Sequence, residues 1–176
     1  MRIVTDTHAH TLASGHAYNT IKEMAQTAKE NGLEILALTE HAPNMPGSCH
    51  EFYFHNLIVV PRKQCGIELL LGTEANIMDE NGTLDLDSHT LKQMDIVIAS
   101  IHGPCYGASK SKEENTKAYI KAMENPYVNI IGHPDDGRFP VDYEVLAKAA
   151  KEKGVLLEEN NSSLRPRGFR QDTRKN

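Results

Sequence analysis

Two kinds of apolar run alternate along this chain. Short stretches are apolar nearly throughout: residues 3–5, then EILALTEH (34–41), GIELLLGTEANI (66–77), DIVIASIH (95–102), VNIIGHP (128–134) and VLLEENN (155–161). Between them lie segments with helical spacing. In TIKEMAQTAKENG, Thr20 and Glu23 form a capping box, Ile21, Met24, Ala25 and Ala28 share a face, and Gly32 supplies a stop. SKEENTKAYIKAMEN opens on a second such box, Ser111 with Glu114. DYEVLAKAAKEKG has Asp142 as N-cap, Val145, Leu146, Ala149 and Ala150 facing inward, and Gly154 as its stop. APNMPGSCHEFYFHN and YGASKSKEEN read as loops after strands. Strands that are apolar throughout and alternate with amphipathic helices predict an α/β fold with a parallel sheet covered by helices. Periodicity does not choose between an open sheet and a closed barrel.

Composition sets bounds on this picture. At 176 residues the chain has length for one domain with a substantial core. Its net charge of −5 argues against a nucleic-acid binder, which would carry a basic face. Three widely spaced cysteines, Cys49, Cys65 and Cys105, form no disulfide framework and no paired zinc motif, which favours a reducing, cytoplasmic setting. The N-terminus lacks the apolar core of a signal peptide, and no window approaches a membrane span, so no membrane partner is expected. No GxGxxG follows the first strand and no GxxxxGK[ST] occurs, which lowers the weight of nucleotide-binding versions of the sheet.

Metal-capable residues then fall at one end of the predicted strands. His8 and His10 follow the first, His41 the second, Glu74 the third, His102 the fourth and His133 the fifth, and His16 lies in the loop after the first. The carboxyl ends of parallel strands open on one face, and that face carries the site. A single loop histidine is more often a core or surface residue, and His50, His55 and His89 are read that way. The HxH pair points two imidazoles the same way along an extended segment. Imidazoles with a carboxylate suit zinc, iron or manganese better than calcium or magnesium. Seven candidates exceed one tetrahedral ion, so two to three divalent ions are expected, and Glu74, the one obvious carboxylate among them, can bridge two. Asp6 and Glu40 stand as either ligands or supports, and Cys105 reads as a small loop or buried residue.

Taken together, DTHAHT, ALTEHAP, LLGTEANI, IVIASIHGP, IIGHPDD and LLEENNSSL resemble the polymerase and histidinol phosphatase (PHP) family, and most closely its small stand-alone phosphatases. The resemblance runs from residue 1 to about 170. It implies a single PHP domain over 1–176, a distorted parallel (β/α)7-type barrel with a trinuclear metal site, and hydrolysis of phosphate esters. Position by position, it makes His8 and His10 ligands of one metal. Glu74 bridges that metal to a second held by His102 and His133, and His16 and His41 hold the third. The family pattern continues to a further strand with an Asp-x-His pair, and these 176 residues contain no such pair beyond DTH at 6–8. The expected barrel therefore lacks its last strand, and two metals lack a ligand each.

The expected activity is that of a metal-dependent phosphatase for small phosphate monoesters, with a small phosphorylated substrate as partner. Arg165 or Arg167, just past the sixth strand, would pair with the phosphate; Arg170 and Arg174 read as solvated. No separate catalytic base is required, and Asp135 is a candidate acid for the leaving group. The alternatives are a metal-binding but catalytically impaired chain and an amidohydrolase-type hydrolase. The latter would want a bridging group after strand four, where Ser100–His102 stands. A homo-oligomer is a candidate assembly.

Overall fold

The computed structural model describes residues 2–108 and 110–160. They gather into two compact units, one of the described residues up to Ala75 with Leu86–Ile98, the other of Asn76–Asp85 with the described residues from Ala99 onward. None of the helices among the described residues is long and apolar enough to cross a membrane.

The first unit is built on β1 (Thr5–Asp6), β2 (Ile35–His41) and β4 (Ile67–Asn76), in that order, with the first residues of β5 (Ile96–Ser100) after β4. β1 and β2 are parallel with Thr5 opposite Ile35, and β2 and β4 are parallel with His41 opposite Glu74. β3 (Lys63–Gln64) runs antiparallel to β4. Every residue of β2 from Leu36 to His41 is buried, as expected of a strand covered on both faces. Its apolar residues form the core with Leu69 and Leu71 of β4 and Ala25 and Ala28 of α1 (Ile21–Glu30).

α1 begins where the sequence predicts. Thr20 accepts from the Glu23 N–H, and the Glu23 carboxylate accepts from the Thr20 N–H at 2.7 Å. Gly32 follows at φ 78°, a conformation glycine adopts without strain. The first strand is Thr5–Asp6 rather than residues 3–5; Ile3 is 78% exposed. The stretch read as a loop contains α2 (Glu51–Asn56), capped by the His50 ring, which accepts from the Phe52 N–H at 3.1 Å. α2 buries Phe54 and leaves Phe52 68% exposed, so one turn of helix leaves no periodic apolar signal to read.

β4 and β5 approach closely at Gly72. A Cβ there would stand 1.9 Å from the Ile96 carbonyl oxygen, a backbone atom with nowhere to move. Gly72→Ala is therefore expected to lower the unfolding free energy by about 1–3 kcal/mol through overpacking. Urea denaturation measures it, and an unchanged midpoint would contradict the close approach.

In the second unit, β5 is followed by β6 (Ile130–Ile131) and β7 (Leu156–Leu157). β6 and β7 are parallel, with Ile130 opposite Leu156. α5 (Lys112–Ala122) starts on the predicted Ser111–Glu114 capping box, and α6 (Tyr143–Lys153) on the predicted Asp142 cap, ending at Gly154 with φ 70°. Leu146 and Ala150 are buried as expected, but Val145 is 49% exposed, because the face of α6 turned inward is narrower than its apolar stripe. α3 (Ser88–Leu91), in the first unit, and α4 (Gly103–Tyr106), in the second, are single turns. VNIIGHP and VLLEENN each contribute only two residues of paired strand.

Candidate metal centre

Five of the seven predicted ligands belong to the first unit. His8, His10 and His16 come from the segment after β1. Asp6 braces its start, accepting from the His8 N–H at 3.1 Å. A short 3₁₀ turn, Leu12–Ser14, folds the segment back. Gly15 closes that turn at φ 74°, where a Cβ would overlap the Gly47 carbonyl, 2.0 Å away. His41 is the last residue of β2, and its register partner Glu74 lies two residues before the end of β4.

These side chains converge. Glu74 is 1% exposed, and its Oε2 lies 3.2 Å from His8 Nε2, 3.4 Å from His10 Nε2 and 2.8 Å from His41 Nδ1. Ligand-capable atoms of His8, His10 and Glu74, and separately of His10, His16 and His41, fall within 4.8 Å of one another. The His10 and His41 rings stack at 4.4 Å, and His16 lies 5.1 Å from His10 and 4.8 Å from His41. Burial, with the neighbouring imidazoles opposing the pull of Glu74, lowers the His10 pKa to about 2. His10 is thus a neutral imidazole at physiological pH, the form that binds metals. A buried carboxylate ringed by imidazole nitrogens fits a divalent cation held by nitrogen and oxygen donors.

Glu40 is decided as a support. It is 1% exposed and turns away from the imidazoles to accept from the Thr11 N–H at 3.1 and 3.0 Å, the Thr11 hydroxyl at 2.5 Å and the Ser14 hydroxyl at 2.6 Å. Ser14 in turn accepts from the His41 N–H at 3.0 Å. Tyr53 of α2 lies beside this group; burial and the Glu40 charge push its phenol well above the ordinary range.

The second unit holds His102 and His133, whose ring centroids are 5.2 Å apart. His102 caps α4 immediately after β5, and its Nδ1 lies 2.7 Å from Asn76 Oδ1. His133 follows β6 at φ 31°, a left-handed conformation a non-glycine residue holds only when its surroundings impose it. Its N–H donates to Glu158 at 2.7 Å, and its carbonyl accepts from the Asp136 N–H at 3.1 Å. Burial would raise the Asp136 carboxyl, but hydrogen bonds and charge from Arg138 outweigh it and hold the pKa below the usual range.

The remaining histidines have local partners. His50 caps α2, His55 Nε2 lies 2.8 Å from the Thr90 hydroxyl, and His89 lies 2.9 Å from Gln93. Burial pushes the Cys105 thiol up to about 11, and among the described residues Cys105 belongs to none of the histidine–carboxylate clusters. Arg165 and Arg167 lie outside the described residues. Four supports had not been singled out from the sequence: Thr11, Ser14, Asn76 and Glu158. Only Asn76 left a trace, lying two residues after Glu74 and so on the same face of its strand.

Parallel strands of an α/β fold followed by histidine–carboxylate clusters define a class of domain with a candidate metal centre at its strand ends. The comparisons narrow it: the PHP domain model matches residues 6–164, and the chain belongs to that family. It is 53% identical over 164 residues to a probable phosphatase of Caldanaerobacter subterraneus subsp. tengcongensis, covering 93% of this chain and 65% of the relative. It is 50% identical over 173 residues to a probable phosphatase of Clostridium botulinum strain Langeland, covering 98% of this chain and 71% of the relative. The chain thus spans about two thirds of the length of the curated relatives it matches. Among solved structures, it is similar to histidinol phosphate phosphatase from Lactococcus lactis in complex with zinc, L-histidinol and phosphate. That likeness has a TM-score of 0.55 at 21% identity, over 87% of this chain and 71% of the other. It shows the fold, in agreement with the distorted parallel barrel expected from the sequence.

Proposed function

We propose that this chain, as a single PHP domain, is a metal-dependent phosphatase for small-molecule phosphate monoesters. The carrying observation is Glu74, buried within 3.4 Å of three imidazole nitrogens on β2 and the segment after β1. Two to three divalent ions, zinc, manganese or iron, would be held as the family resemblance assigns them. In the first unit His8, His10, His16, His41 and Glu74 would be the residues that hold them, and in the second unit His102 and His133. When bound, such ions supply Lewis-acid chemistry, lowering the pKa of a coordinated water and neutralising charge on a phosphoryl group. The net reaction adds water across the ester P–O bond, yielding an alcohol and inorganic phosphate.

The chain's own residues hold and orient. The Glu40, Thr11 and Ser14 network keeps the His10–His16 turn in place, and Asn76 and Glu158 do the same for His102 and His133. Burial keeps His10 neutral and able to donate a lone pair. Arg165 and Arg167 remain the candidates for the substrate phosphate, by bidentate pairing. The probable phosphatases among the relatives, and the zinc, L-histidinol and phosphate bound by the Lactococcus lactis protein, support this reading.

Turnover of p-nitrophenyl phosphate with added Mn²⁺ or Zn²⁺ tests it. His102→Ala is expected to lose activity by at least ~10²-fold, the scale set by loss of a transition-state stabilising group. Equal rates for the two proteins would sink the assignment. Metal uptake without turnover would mark the impaired, metal-binding alternative.

A further inference from the structure

Ser14 sits where three groups compete for one hydroxyl. It lies 2.6 Å from Glu40 Oε2, 3.0 Å from the His41 backbone N–H and 3.2 Å from His10 Nδ1. A serine hydroxyl has one proton to give and two lone pairs to accept with. The Glu40 carboxylate only accepts, so it takes that proton. The His41 N–H only donates, so it occupies one lone pair. The contact with His10 must then be made through the second lone pair, with His10 Nδ1 carrying the hydrogen. Its Nε2 is left unprotonated, and Nε2 is the atom 3.4 Å from Glu74.

The second unit repeats the logic with an amide in place of the hydroxyl. Asn76 Nδ2 donates to Asp85 Oδ2 at 2.6 Å, and the Asn76 backbone N–H donates to Asp85 Oδ1 at 2.7 Å. The carboxylate therefore orients the amide with Oδ1 toward His102, 2.7 Å from Nδ1. An amide oxygen only accepts, so His102 Nδ1 carries the hydrogen as well.

We infer that Glu40 and Asp85 are positioning residues which set the tautomers of His10 and His102 through Ser14 and Asn76, leaving each Nε2 as the lone-pair atom for a divalent cation. The inference deepens the metal-centre reading and rests on it for the use to which Nε2 is put. A carboxylate that fixes a histidine indirectly, through one intervening polar group, also raises the basicity of the ring without placing its own charge beside the cation.

Nitrogen-15 NMR of histidine-labelled, metal-free protein at mildly alkaline pH reads the tautomers directly. His10 and His102 are expected to show a protonated Nδ1 and an unprotonated Nε2. In Glu40→Gln, the amide oxygen is retained by the two Thr11 donors, and the amide N–H groups face Ser14. The Ser14 proton then turns to His10 Nδ1, and the His10 tautomer is expected to invert while His102 keeps its own. Zn²⁺ affinity should fall 10- to 100-fold, the usual cost of losing such support. If Glu40→Gln does not fold, Ser14→Ala reads the same contact, with the His10 preference for Nδ1–H lost. A protonated Nε2 on His10 in the wild type, or an unchanged tautomer in both variants, overturns the inference. Because the readout needs no turnover, a chain with the expected tautomers that releases no phosphate keeps this inference and removes the phosphatase reading.

Discussion

Glu74→Gln is expected to cost the chain its metal ions and about 10²- to 10³-fold in phosphate-ester turnover. The substitution changes almost nothing but charge. Glutamine fills the same volume at a position 1% exposed, so packing between β2 and β4 is kept. What disappears is the negative charge that lies beside His8, His10 and His41. Cations bound there would lose a charge-neutralising ligand in a site that water screens poorly. The check is metal per chain by elemental analysis after gel filtration, paired with turnover of p-nitrophenyl phosphate. A variant with the wild-type metal content and rate would show that Glu74 is not a ligand. A chelator should mimic the variant, with activity restored by returning Zn²⁺ or Mn²⁺ to the wild type only.

Glu40→Ala should act on stability first. Removing this carboxylate strands the Thr11 N–H and the Thr11 hydroxyl, at a residue 3% exposed, and leaves Ser14 to turn its proton to His10. A buried donor left unpaired costs about 1–3 kcal/mol. We expect a loss at the upper end of that range, measured by urea denaturation of metal-free protein. A change under about 1 kcal/mol would mean that the network is satisfied some other way. The two variants separate cleanly: Glu74→Gln should leave metal-free stability nearly intact, whereas Glu40→Ala should lower it with no metal present.

The capping boxes at Thr20–Glu23 and Ser111–Glu114 and the cap at Asp142 were legible because each is a contract between residues three apart. The metal-capable residues were legible because β-strands of this kind are marked by unbroken apolar runs, and a histidine or glutamate at the end of one stands out against them. α2 and the true placement of β1 were not. A six-residue helix with one buried residue has no repeat to detect, and β1 is a strand only because β2 supplies the partner for Thr5 and Asp6. Val145 was misplaced because its helix has a wider apolar stripe than the surface available to cover it.

By itself, the order of residues determined the alternation of strands and helices, the helix ends, and which side chains could hold a metal. Those are properties of local spacing and of chemical type. Tertiary structure alone decided that Glu40 supports while Glu74 faces the imidazoles, although both are buried glutamates on neighbouring parallel strands. The register puts Glu74 opposite His41 and Glu40 one residue earlier, and successive side chains on a strand point to opposite faces. It also decided which nitrogen of His10 presents its lone pair, since that depends on a proton shared among Glu40, Ser14 and the ring. Hydrogen bonds between residues 26 to 29 positions apart exist only once the chain has folded.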